Sequence, residues 1–495
     1  MNDYSPGKRT AVVLTGSGIA GAYHAGVLRA LDESGVKVDV LIGSGAGVLG
    51  AAFAAVAGGD RLYGPGGFWD GVEWRSFFRL RTAIRVTLLL LGMCVATILL
   101  PLVVALLVGV LSPLVLAADA VFPGHLAGLA PTVQTAWEVA RAPYLVALLG
   151  PLFVLVFVAA VALVRGRLAR GRRFAETFEF LADAGRLRSR LRKGLWDVAR
   201  GASLSDLPPE ETELGRRYVG LALENMGQPG FRELVLRVLD LETGRVLPHA
   251  LLAQEHREAF AAARAGAGSG GVESSRKGHD VIDLSCRGHD ASLLPAVLSG
   301  LLPVFLAPVL RVTFPRGAVH GGERHRLADA TFAAGCGLDD AVCAGAEQLI
   351  VVSSVPAAAT AGSPRRGARA LLDALLAARE RQALEQELWV LERLNRMIAT
   401  LGHAVSGGQR AWEDPATGRV YRPVAVYVIR PRSRPLQPLD LDGARDPATE
   451  VVETPGDLLE SGYRDAYRLF IEPVVGAPPE GGSEPETSAV EVMDS

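Results

Sequence analysis

Two glycine turns near the start of the chain hold the residues best placed to do chemistry. The first is Gly16-Ser17-Gly18-Ile19-Ala20-Gly21 and the second is Gly43-Ser44-Gly45-Ala46-Gly47. A glycine loop between a strand and a helix presents backbone N–H groups that bind anionic groups. Taken alone, the first loop fits the G-x-G-x-x-G of a dinucleotide site. That reading also needs an acid at the end of the second strand to hold a ribose. Asp39 lies inside that strand, which ends in the second glycine turn, so the dinucleotide reading is set aside. Taken together, the two turns fit an acyl-transfer layout. There a nucleophile sits on a sharp strand-to-helix elbow, G-x-S-x-G, and N–H groups of an earlier glycine loop stabilise the oxyanion. Gly16, Ser17, Gly18 and Gly21 would form that loop.

The elements that must position these turns are legible from periodicity. Residues 10–14 (TAVVL) read as a short buried strand, and AYHAGVLRALDESG as a helix ending near Gly35. Val38 to Ile42 reads as a second strand and Val48 to Val56 as a small-residue helix. This is the opening of a parallel α/β sheet. Further on, Glu233 to Asp240 and Gln348 to Val352 read as strands, with a turn at Glu242-Thr243-Gly244. Residues 265–275 read as a flexible loop, Ser292 to Val309 as a helix entering a Pro-punctuated segment, and Val424 to Ile429 as a late strand. Ala368 to Thr400 is expected to form a long amphipathic helix, with Leu384, Leu388 and Leu391 facing the core.

At these residues the chain resembles the patatin-like phospholipases. The segment LTGSGIAGAYHAGVLRALDESGVKVDVLIGSGAGVLGAAFA follows that family's opening. VLDLETGRVL at 238–247, LSGLLPVFLAPV at 298–309, LADATFAAGCGLDDAV at 327–342 and GAEQLIVVSS at 345–354 follow in the family's order. The resemblance covers residues 8–58 and 175–475. It implies a three-layer α/β/α fold with a mixed central sheet, and a Ser–Asp dyad that hydrolyses lipid acyl esters without a metal or other cofactor. Asp329 stands at the dyad's general-base position.

The chain departs from the family at three motifs. The nucleophile position is Gly45, which has no side chain to form an acyl-enzyme. The oxyanion loop has Ala20 where the family carries Lys or Arg. The Asp-Gly motif reads Asp329-Ala330-Thr331. Such losses fit a membrane-anchored protein that no longer catalyses and instead binds membrane lipid or scaffolds partners at the cytoplasmic face. The alternative is an active lipid acyl hydrolase with a substitute nucleophile such as Ser44, although a frame centred there has Ile42 and Ala46 where small flanking glycines belong. Asp442-Gly443-Ala444 reads as a surface turn, and His24 as a packing residue.

Composition bounds the rest. The net charge of -2 gives no basic excess for nucleic acid. Cys94, Cys286, Cys336 and Cys343 form no CxxC pair, and no histidines show metal-ligand spacing. The mean hydropathy of +0.25 traces to two uncharged runs, 33 residues at 86–118 and 23 residues at 142–164. Each could span a bilayer core of ~30 Å. Arg75, Arg79, Arg81 and Arg85 precede the first run, and Arg165, Arg167, Arg170, Arg172 and Arg173 follow the second. The positive-inside rule then gives a two-helix hairpin in a bacterial inner membrane, with the main domain cytoplasmic. The expected organisation is 1–80 and 175–475 as one patatin-like domain, 81–174 as a transmembrane insertion, and 476–495 as an acidic disordered tail.

Overall fold

The computed structural model describes most of residues 4–81, 182–267, 281–357 and 368–476, with scattered positions between 85 and 157. The expected tail, and the expected loop beyond Ala267, lie outside the described residues. Residues 1–78 and 184–495 form one compact unit and Arg79–Asp183 a second. In the second unit, Arg79–Leu80 pairs antiparallel with Ala182–Asp183.

The first unit is built on a nine-stranded mixed sheet. Its strands are β1 (Thr10–Leu14), β2 (Val40–Ser44), β3 (Glu233–Asp240), β4 (Arg245–Leu251), β5 (Ile282–Asp283), β6 (Leu310–Thr313), β7 (Arg324–Asp329), β8 (Gln348–Val352) and β9 (Ala425–Ile429). The order is β9-β8-β1-β2-β3-β4-β5, with β7 beside β3 and β6 beside β7. Neighbours from β9 to β3 run parallel, and β4 and β7 run antiparallel to β3.

Alternation along the strands sends side chains to two separate cores, as period-two geometry requires. Val12 and Leu14 pack with the helices α1 (Ala20–Glu33), α2 (Gly47–Ala54) and α3 (Leu293–Leu301). Ala11 and Val13 point to the other face, with α4 (Leu338–Cys343) and α5 (Ala368–Leu401). Helices on both faces of a central mixed sheet make a three-layer α/β/α arrangement. Buried Leu384 and Leu391 of α5 face its core, with Leu388 partly buried beside them. The sequence expectation for that helix, 368–400, differs from the observed end by one residue.

The membrane expectation is corrected. An apolar run that crosses a bilayer as a helix needs about 20 residues within that helix. Among the described residues no helix is long and apolar enough to cross a membrane. The runs 86–118 and 142–164 fall mostly outside those residues. The two-helix transmembrane insertion, the multi-pass inner-membrane location and the cytoplasmic placement derived from them are therefore not carried forward.

Candidate functional site

The register of β3 assembles the site. Its first half pairs with β2, ending at Ser44 opposite Arg237. There β2 turns away into α2. The next position of the same edge, Val238, pairs with Asp329 at the end of β7. One strand edge thus sets the elbow beside Asp329, although the two lie far apart in sequence. A Cβ placed on Gly45 would lie 3.0 Å from Oδ1 of Asp329.

The elbow itself is closed. Gly45 has φ +61°, a left-handed conformation that favours glycine. The same Cβ would lie 2.4 Å from the carbonyl oxygen of Gly16 and 2.7 Å from Cγ2 of Thr331. On its other side α3 packs so closely that a Cβ on Gly300 would sit 2.2 Å from the Gly45 carbonyl oxygen. The N–H of Ala46 donates to the Gly16 carbonyl oxygen at 2.7 Å. In an acyl hydrolase the amide after the nucleophile position points at the oxyanion. Here the glycine loop itself accepts from it.

Asp329 is 2 % exposed and fully engaged. Ser17 Oγ donates to its Oδ2 at 2.5 Å. The N–H and Oγ of Thr331 donate to Oδ1 at 2.8 Å and 2.6 Å. Ser17 and Thr331 hydroxyls are also hydrogen-bonded to each other. Burial pushes the Asp329 carboxyl up to about 6, against the opposing effect of these donors. Ser17 was expected to serve the loop through its backbone. Its side chain turns out to be the group that reaches Asp329. The signal available in sequence was a hydroxyl in the loop of a chain whose nucleophile position, Gly45, lacks one.

Ser44 does not join this cluster. It is wholly buried, and its Oγ has no hydrogen-bond partner among the described residues. Gly18 and Gly21 keep their places in the turn, where the Gly21 N–H donates to the Gly18 carbonyl oxygen at 3.4 Å. Asp39 accepts from the Thr10 N–H at 2.8 Å and so braces β1. His24 is packed in the core, its Nε2 3.1 Å from the Thr15 carbonyl oxygen, and burial holds the imidazole down to about 4. Gly443, with φ +97°, lies in a turn where its N–H donates to the Asp440 carbonyl oxygen.

A second acid escaped the sequence reading. Glu380 of α5 accepts from Ser354 Oγ at 2.7 Å, just beyond β8. Burial, with the nearby Asp329 charge, pushes its carboxyl up to about 7. One heptad on, Glu387 accepts from the N–H groups of Cys336 and Leu338 at 2.7 Å and 3.0 Å. Among the described residues no cluster of His, Cys, Asp and Glu is arranged to hold a metal ion.

No protein-family model matches the chain, and no curated protein does. Among solved structures it is similar to VipD from Legionella pneumophila, at 12 % identity and a TM-score of 0.29. That alignment covers 94 % of this chain and 67 % of the other. A likeness this slight assigns no activity.

Proposed function

We propose that this chain is a patatin-like protein that binds lipid and does not hydrolyse lipid esters. The observation that carries the proposal is the contact between the two glycine turns. The Gly16 carbonyl oxygen occupies the space a nucleophile's Cβ would need, and it accepts the Ala46 N–H that an oxyanion would need. Acyl transfer requires both a nucleophile and donors aimed at the developing charge. The elbow supplies neither. The retained Asp329, with donors from Ser17 and Thr331, then acts as a structural carboxylate that ties the glycine loop to the end of β7. The lipid part of the proposal comes from the resemblance of the motifs at 8–58 and 175–475 to patatin-like phospholipases.

A second reading has one specific observation in its favour. Ser17 Oγ lies 2.5 Å from a carboxylate whose affinity for protons is raised, which is the relation of a nucleophile to a general base. It is the weaker reading, because Ser17 is only 5 % exposed and its hydroxyl is shared with Thr331.

The test is turnover of a fluorogenic acyl ester and of a phospholipid by the full chain, beside Ser17→Ala, Ser44→Ala and Asp329→Asn variants. Co-sedimentation with phosphatidylglycerol vesicles is measured in parallel. The expected result is vesicle binding with no turnover above a no-enzyme control. Turnover that disappears in Ser17→Ala and Asp329→Asn would replace the proposal with the Ser17 reading.

A further inference from the structure

On the face of the sheet that carries α5, a groove runs between α4, α5 and a small sheet. That small sheet is formed by His403–Ala404, Arg410–Glu413 and Val420–Tyr421. Its cavity has a volume of about 690 Å³, within the ~300–1,000 Å³ typical of ligand sites. The floor is part of the core: Leu338 and Leu391 are buried, and Val342 packs beside them. The α5 wall is a stripe of Arg379, Gln382, Gln386, Trp389, Arg393 and Met397. Steps of three and four keep these residues on one helix face, and the stripe runs for about 27 Å at 1.5 Å per residue. Trp412 and Tyr421 stack with ring centroids 5.9 Å apart and form part of the opposite wall.

An exposed surface of this kind asks for an occupant. Trp389 is 52 % exposed and Val390 51 %, both on a helix whose other face is core. The lining extends along much of α5. The ~30 Å hydrocarbon core of a bilayer holds two layers of chains, so a single acyl chain is roughly 15 Å long and fits within the stripe.

The charges are not symmetric. Three acids line the groove: Glu387 is bound by the Cys336 and Leu338 N–H groups, Asp339 faces Arg264 at 3.9 Å, and Asp414 has a partner of its own. Arg393 lies over the Trp389 ring at 5.3 Å. A guanidinium held over an indole still has N–H donors for a carboxylate.

We propose that this groove binds a single-chain anionic amphiphile, with its hydrocarbon chain along α5 and its acid group at Arg393. The inference rests on the lipid reading above and adds a site and a ligand class to it. It does not involve the elbow, where the chemistry of the family would occur.

The test is titration of the full chain with sodium oleate below its micelle concentration, followed by tryptophan fluorescence. Dodecyltrimethylammonium serves as the cationic control. Saturable oleate binding is expected, with much weaker binding of the cation. Val390→Asp and Trp389→Ala should each weaken oleate at least tenfold, and both sites are exposed enough to leave the thermal midpoint unchanged. Arg393→Glu should lower the preference for oleate over the cation at least tenfold. Oleate binding unchanged in Val390→Asp would overturn the groove. So would a wild-type dimer that dissociates in that variant, since a second copy would then be the occupant. Vesicle binding without oleate binding would remove this site and leave the lipid reading standing. Loss of both would remove both.

Discussion

Ser17 Oγ donates to Asp329 Oδ2 at 2.5 Å, so the glycine loop supplies the hydroxyl that Gly45 does not. Ser44, the serine within the elbow, has a buried Oγ with no partner among the described residues. The two serines should therefore respond in opposite ways to loss of their hydroxyls. Removing one partner of a buried hydrogen bond costs about 1–3 kcal/mol. Ser17→Ala is expected to destabilise by that amount, and by more at pH 8 than at pH 5, because the lost donor favours the ionised carboxylate. Ser44→Ala removes an unpaired buried hydroxyl and should be neutral or stabilising by up to ~1 kcal/mol. Chemical denaturation of both variants at the two pH values checks this. A larger loss for Ser44→Ala would refute the assignment of roles.

Restoring the missing nucleophile should not restore catalysis. Gly45→Ser would place a Cβ 2.4 Å from the Gly16 carbonyl oxygen, at a backbone φ of +61°. A left-handed conformation for a residue with a side chain costs of order 1–3 kcal/mol, and crowding adds a similar amount. The variant is expected to lose roughly 2–5 kcal/mol of stability and to show no ester turnover. Turnover in a stably folded Gly45→Ser protein would mean that the two glycine turns separate easily.

Glu387 ties two elements together by capping α4 from α5. The first N–H groups of a helix have no partner within it, and Glu387 accepts from Leu338 at the start of α4 and from Cys336 before it. The N-cap, Gly337, has no side chain to do this. Glu387→Ala should cost about 1–3 kcal/mol by leaving those donors without their acceptor. It should also speed protease cleavage near residue 335 relative to the rest of the chain. Limited proteolysis with peptide mapping reads this directly, and an unchanged pattern would count against the cap.

The sequence carried the strand-turn-helix order around both glycine turns, because those segments are short, buried and bounded by glycine. The pairing of Val238 with Asp329 was beyond its reach, since long-range register depends on the whole sheet. The acids of α5 were missed for a different reason. Glu380, Leu384, Glu387 and Leu391 share one helix stripe, yet glutamate in a helix ordinarily reads as solvated surface. Only the partners, Ser354 and the start of α4, show that this stripe faces inward. The apolar runs at 86–118 and 142–164 fall mostly outside the described residues, among which no helix is long and apolar enough to cross a membrane.

The acids of the site also fix a pH dependence whose sign can be worked out. Asp329 titrates near 6 in the folded chain against a usual value of 3.8, and Glu380 near 7 against 4.5. Each is raised by burial, so each favours folding while protonated. Their contribution is fully present below about pH 4 and is lost as pH rises through 6 and 7. Buried His24 and His249 act in the opposite sense. Burial holds both near 4, so their contribution is present above about 6.5 and is lost as pH falls toward 4. The two pairs offset one another between pH 4 and 7, so the wild-type profile by itself is a poor readout. Differences between variants isolate the acids. Asp329→Asn keeps a side chain of the same shape and removes the ionisation. Its stability relative to wild type should therefore rise as pH goes from 4 to 7, by roughly 3 kcal/mol for a shift of about two pH units. Glu380→Gln should show the same rise, displaced to higher pH. In the double variant both contributions are gone, and its stability relative to wild type should rise with pH by more than that of either single variant. Denaturant midpoints at half-unit pH steps provide the measurement. An Asp329→Asn difference that stays flat or falls with pH would show that the carboxylate is not held in the buried, proton-favouring environment described.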